Sequence, residues 1–233
     1  MIRNITFSAL LAGLALSTVA SAVQAQSTAE PRWTFDLGAA TDNRSKNVSK
    51  TGNDGHVFGS ATWESGDRRF YAGPSFEGVQ SGGSNVEIAL SGGFAPEAFG
   101  FEFDFNLAYL NRVGAENGFD EDALELTADM RRAIGPAWGN LQVQYAPDAA
   151  GNTRSFVWVE ASAGWEFSNR LSASTGIGRR EQVGAPDYTG WHAGVTWGLT
   201  DKVDVDLRYY DTNAHGEGET YRDAIVAEVV YAF

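Results

Sequence analysis

The chain has 233 residues, no cysteine and a formal net charge of −13. The lack of cysteine excludes a disulfide framework and a thiolate metal centre, and the acidic balance argues against nucleic acid as a partner, because phosphate binding needs basic surface. The 27 Gly, 14 Phe, 8 Tyr and 7 Trp against 6 Pro favour strands and turns, and no apolar run after residue 25 is long enough for a transmembrane helix.

Residues 1–25 read as a signal peptide. Arg3 gives a positive start, an apolar, small-residue stretch follows, and Ala20-Ser21-Ala22 and Val23-Gln24-Ala25 each offer small residues to a signal peptidase. The second is the preferred cut. It leaves residues 26–233 as one domain.

From there the sequence alternates with a period of two, the signature of a sheet polar on one face and apolar on the other. Trp33, Phe35, Leu37 and Ala39 share the apolar face of the first predicted strand, Val57 to Trp63 that of the second, and Phe70 to Phe76 that of the third. Pro74 interrupts the third, because proline removes a ladder donor, and predicts a bulge there. Val86 to Phe94 make the fourth stripe. The fifth is the clearest: Phe99, Phe101, Phe103, Phe105, Leu107 and Tyr109 lie opposite Glu102, Asp104 and Asn106. Seven further stripes begin at Leu124, Leu141, Val157, Leu171, Trp191, Val203 and Ile225. The count is twelve. Connections after even-numbered strands are short. Most of those after odd-numbered strands, such as 41–55, 111–122 and 211–221, are long and polar, with 81–85 the short exception.

This pattern predicts an all-β fold, a closed antiparallel transmembrane β-barrel in the outer membrane of a Gram-negative bacterium, with an apolar outside, a polar lumen and both termini on the periplasmic side. Trp33, Trp63, Trp138, Trp165 and Trp197 fall at one predicted membrane interface, and Phe233 closes the chain as a terminal aromatic of the kind the barrel-assembly machinery reads. Outer-membrane lipid and lipopolysaccharide are the expected surroundings.

The predicted pore lining comprises Glu87, Glu102, Asp104, Glu125, Asp129, Arg131, Glu160, His192, Asp204, Asp206, Arg208 and Glu228, with Asp36, Glu64, Glu77, Arg180, Gln142 and Gln144 on the same face. Carboxylates outnumber the arginines, so an open lumen is expected to prefer cations. Arg131, Arg180 and Arg208 at the narrowest point would reverse that.

The motif at residues 41–49, Thr-Asp-Asn-Arg-Ser-Lys-Asn-Val-Ser, resembles the TorF-type porin family, which carries an Asp-x-Arg and a downstream Ser after its first strand. Tyr71-Ala72-Gly73, the stretch 190–195 and Tyr209-Tyr210-Asp211-Thr212 are similar to it as well. Asn43 stands where members place an aromatic, and Lys46-Asn47 where they have Arg-Gly. The resemblance implies an outer-membrane barrel that acts as a porin, without an agreed substrate or catalytic residues.

Three histidines, His56, His192 and His215, lie on separate segments without metal-ligand spacing, so neither a metal nor a cofactor is expected. The leading expectation is a channel for passive diffusion of ions or small polar solutes. The alternatives are a closed structural or surface-binding barrel and an outer-membrane hydrolase built on His192 and a lumen carboxylate such as Asp206.

Overall fold

A computed structural model describes residues 30–151 and 153–233. The signal peptide expected over residues 1–25 lies outside them. Twelve long strands follow in chain order: β1 (Arg32–Ala40), β2 (His56–Glu64), β3 (Phe70–Ser81), β4 (Ser84–Phe94), β5 (Phe101–Val113), β6 (Asp122–Ile134), β7 (Ala137–Ala146), β8 (Phe156–Glu166), β9 (Leu171–Gln182), β10 (Tyr188–Gly198), β11 (Val203–Thr212) and β12 (Ala224–Ala232). Each pairs antiparallel with its neighbours in sequence, and β1 pairs with β12, Asp36 opposite Ala232. The sheet therefore closes into a twelve-stranded barrel with every backbone edge satisfied.

Closure explains the alternation. Leu37, Val57, Leu90, Phe105, Leu107, Leu126, Ile177 and Leu207 are exposed on the outer wall, a continuous apolar belt of a size that a water-soluble surface does not carry. Their sequence neighbours point inward. The two ends of the barrel differ. Short turns and both ends of the described chain lie at one, and the long connections lie at the other.

Two local expectations change. Phe99 is not part of β5. Its φ of 55° and that of Gly100 at 75° make a two-residue turn that folds the short strand Glu97–Ala98 back onto Phe101 and Glu102, and the Phe99 ring is left 94% exposed on the rim. Positive φ at both central residues is the geometry that matches the strand twist in a tight hairpin. Pro74 produces no bulge. The β2–β3 register is the same on both sides of it, Ser60 opposite Ser75 and Trp63 opposite Ala72, while the rungs between are missing from the ladder. The true irregularity of β3 lies between Gly78 and Ser81.

Among the described residues, three apolar clusters occupy the inside of the long-loop half. The largest joins Ala146, Ala149, Phe156, Trp158 and Tyr188, with Val48 and Tyr221 packed against it. The second joins Ala40, Phe58 and Val226, and the third Ala89, Leu110 and Ala123. In the short-turn half the wall is polar, and Ser60, Asn106, Thr127, Gln142, Ser162, Ser174 and Asp206 all keep partial solvent access.

Candidate functional site

The residues between β1 and β2 fold into the barrel rather than away from it. Thr41 anchors this loop, exchanging hydrogen bonds of 3.0 Å with Ala227 of β12 through its N–H and its Oγ1. The Asp42 carboxylate then closes the neck. It accepts from Ser49 Oγ at 2.6 Å, Thr51 Oγ1 at 2.8 Å and Arg44 Nε at 2.5 Å. The next residues form a miniature hairpin, Arg44–Ser45 against Val48–Ser49, turned by Lys46 and Asn47 with φ of 53° and 67°. Asn tolerates that left-handed conformation well.

Arg44 ties the base to the last long loop, donating to the carbonyls of Thr220 at 3.3 Å and Arg222 at 2.8 Å and to Asn53 Oδ1 at 2.7 Å. Lys50 bridges the Glu77 and Glu87 carboxylates, the latter at 2.8 Å, and Arg112 Nε donates to the other oxygen of Glu87 at 3.0 Å. Burial of Asp42, Arg44, Glu77 and Glu87 is compensated by these partners, as buried charges require.

The tip crosses the interior to the strands opposite. Tyr188 O–H donates to the Lys46 carbonyl at 2.9 Å, Asn47 Oδ1 lies 3.2 Å from His192 Nδ1, and Val48 joins the Trp158–Tyr188 cluster. Gly190 makes room, since a Cβ there would lie 2.7 Å from Asn47 Cβ. The hairpin thus spans from β1–β2 to β8–β10.

Desolvation inside the barrel outweighs the carboxylates around Lys46 and pulls its ammonium down to about 8, whereas Glu77 and Glu87 hold Lys50 well above the ordinary lysine range against its own burial.

The predicted pore-lining residues fall on the inner wall in several groups. Asp104 and Asp129 are register partners. Asp104 accepts from the Tyr71 hydroxyl at 2.7 Å, and Asp129 from Asn140 Nδ2 at 2.8 Å and Gln142 Nε2 at 3.2 Å. Glu125 accepts from Gln144 Nε2 at 2.5 Å. Arg208 grips Asp206 through two nitrogens at 2.9 and 3.1 Å, beside Glu228, the register partner of Asp206. Asp204 lies opposite Gly198 and Val230, and Glu160 opposite Gly178 and Gln142. Glu102 is 3.9 Å from Arg131 Nε.

Trp138 departs from the expected interface position. Its ring lies on the inner face under the Arg131 guanidinium, 4.5 Å from centroid to carbon, and fills the space beside Gly164. Its phase is that of Asn140 and Gln142, opposite to the outward stripe of Leu141, Val143 and Tyr145, so its place near the interface end leaves it facing the lumen. Trp33, Trp165 and Trp197 have exposed rings, and Trp63, paired with Trp33, shares their phase.

His192 does not meet Asp206. Its ring faces Asn47 and Tyr210, while Asp206 is taken by Arg208 and Thr196. That pair therefore does not assemble the His–carboxylate arrangement a hydrolase needs. One cluster among the described residues has metal-ligand composition: Asp211, His215 and Asp223 near the last long loop. His215 Nε2 sits 2.6 Å from Asp211 Oδ1, which Thr212 N–H also approaches at 2.7 Å.

A family model described as a bacterial protein of unknown function (Gcw_chp) matches residues 24–232. No curated protein matches the sequence. Among solved structures the chain is similar to KdgM porin, with a TM-score of 0.59 at 7% identity over 86% of this chain and 99% of that one. It is similar also to NanC porin, with 0.57 at 6% identity over 85% and 98%, and to an outer membrane channel from Pseudomonas putida, with 0.58 at 10% identity over 91% and 100%. The shared feature is the outer-membrane porin fold.

Proposed function

The chain belongs to the Gcw_chp family, and we propose that this member is an outer-membrane channel for passive diffusion of small polar solutes, narrowed by the hairpin of residues 41–55. One observation carries the reading. The barrel is apolar outside, its short-turn half has a polar wall that retains solvent access, and the loop of residues 41–55 crosses the interior of the other half. A lipid-exposed wall requires full closure of the sheet, and an accessible polar lumen serves transit. In this reading the short turns and both termini are periplasmic, lipopolysaccharide and lipid cover the apolar belt, and the exposed Phe233 is presented to the barrel-assembly machinery. The solved complex of KdgM porin with oligogalacturonate supports small polar solutes as cargo for barrels of this shape, and the TorF-type resemblance of residues 41–49 belongs to the same proposal.

We take the hairpin to oppose the cation preference expected from the wall carboxylates. That count omitted Lys46 and Lys50, which the hairpin brings inside, and several of the carboxylates are neutralised by Lys50, Arg112 and Arg208. Ion preference is set where the path is narrowest, here at the hairpin. Swelling of proteoliposomes in small sugars tests the channel: uptake that falls with solute size supports it, and protein-loaded vesicles as tight as empty ones refute it.

A further inference from the structure

The tip of the hairpin gathers donors that the protein's own acceptors satisfy only in part. Lys46 Nζ lies 4.7 Å from the centroid of the Phe156 ring, and the Arg180 guanidinium carbon lies 4.2 Å from the same centroid. Cations over an aromatic face gain some attraction from the ring quadrupole, but neither finds a carboxylate within ion-pair distance among the described residues. The polar contact of Lys46 Nζ is Ser45 Oγ at 3.3 Å. Glu125, the first carboxylate acting on Lys46, is held by Gln144, and Glu87, further off, by Lys50 and Arg112. The side-chain amide of Asn47, in a residue only 3% exposed, has no partner for its Nδ2, and the buried Nε of Arg180 has none either.

Two like charges on one ring and two orphaned donors are costly, because a buried unsatisfied polar group loses about 1–3 kcal/mol. The matching ligand is an acceptor with negative charge. We infer that Lys46 and Arg180, gathered over the Phe156 ring, form a binding subsite for the anionic oxygen groups of a passing solute, carboxylates above all. The inference rests on the channel reading for its solute and deepens it by naming the chemical class. Carboxylates suit the site because the fork of an Arg guanidinium donates to two oxygens at once while an ammonium supplies point charge. Of the wall carboxylates, Glu125 and Glu160 act on Lys46 without pairing with it, and Glu125 is held by Gln144, so a free anion finds its attractive site at the hairpin.

The experiment uses the full barrel, purified in detergent, with citrate as the probe. Calorimetric titration compares wild type with Lys46→Gln, Arg180→Gln and the charge-preserving Lys46→Arg, and the same proteins are examined for reversal potential across a potassium chloride gradient. The expected result is saturable citrate binding, weakened about tenfold or more by either neutral variant and retained by Lys46→Arg, together with an anion-selective potential that shifts toward cations in the neutral variants. Citrate binding unchanged by both neutral substitutions, or no binding to wild type, overturns the inference. The two readings fail separately. Lys46-dependent citrate binding by a barrel that conducts no ions keeps the anion subsite and rejects the channel, and a conducting, cation-selective barrel indifferent to citrate keeps the channel and rejects the subsite.

Discussion

Asn47 Oδ1 lies 3.2 Å from Nδ1 of His192, joining the tip of the first long loop to a strand 145 positions later in the chain. This contact makes the loop an interior element of the barrel. Asn47→Ala removes it and also places a Cβ-bearing residue without local hydrogen bonding at a φ of 67°. Each loss is worth about 1 kcal/mol. The expected outcome is a hairpin tip released from β10, read as increased amide exchange across residues 44–49 with the barrel strands unchanged. Protection equal to wild type would show that Tyr188 and Val48 hold the tip alone.

Arg44 is a stronger test of the base. It is the sole cation within ion-pair distance of Asp42 among the described residues, and both are buried. Breaking a buried pair from one side costs about 3–5 kcal/mol. Arg44→Met is expected to open the loop locally and expose Lys46 and Lys50 to limited trypsin digestion, leaving a barrel nicked at those positions. A variant as resistant as wild type would contradict the placement of this network.

The twelve strands, the short and long connections and the inner phase of the charged residues were legible in the sequence, because a closed membrane sheet writes its period of two into every strand. The interior path of residues 41–55 was not. A polar loop rich in Asp, Asn, Ser and Thr reads equally well as solvated, and what turns it inward is a set of partners distant in sequence, Gly78, Tyr188, His192 and Arg222 among them. A signal did exist. Phe58, Trp158 and Tyr188 fall in the polar phase of their strands, and large apolar groups facing a lumen need something to pack against. Trp138 went astray for the opposite reason: its position near a strand end outweighed its parity. Phe99 extended a convincing stripe by one residue, and only the Gly after it hinted at a turn.

Ring orientation gives an independent test. Variants that retain one tryptophan each, reconstituted in bilayers with brominated acyl chains, should separate into two groups. Trp33, Trp165 and Trp197, about half exposed on the outer wall, are expected to be strongly quenched, and Trp158, 1% exposed inside, to be protected along with Trp138. Quenching of Trp158 equal to that of Trp165 would place β8 in the wrong register.

Lys46 supplies the pH dependence. Its pKa is lowered from the usual 10.5 to about 8, first by loss of hydration, with Arg180 and Lys50 lowering it further and Glu125 and Glu87 opposing. Because the folded value is depressed, the positive charge at the hairpin is present below about pH 8 and lost above it. Anion selectivity is expected to decline between about pH 7 and about pH 9.5, and Lys46→Arg should abolish the decline. A flat profile in wild type would remove Lys46 from the selectivity.

If this barrel conducts and residues 41–55 set its width, pore current should follow the hairpin. Single-channel recording in a planar bilayer tests it most directly, comparing the purified protein with a variant in which residues 44–49 are replaced by a short Gly-Ser link. Discrete current steps from wild type, and steps several-fold larger from the variant, are the predicted result. Silence from both proteins, or steps of equal size, would contradict it.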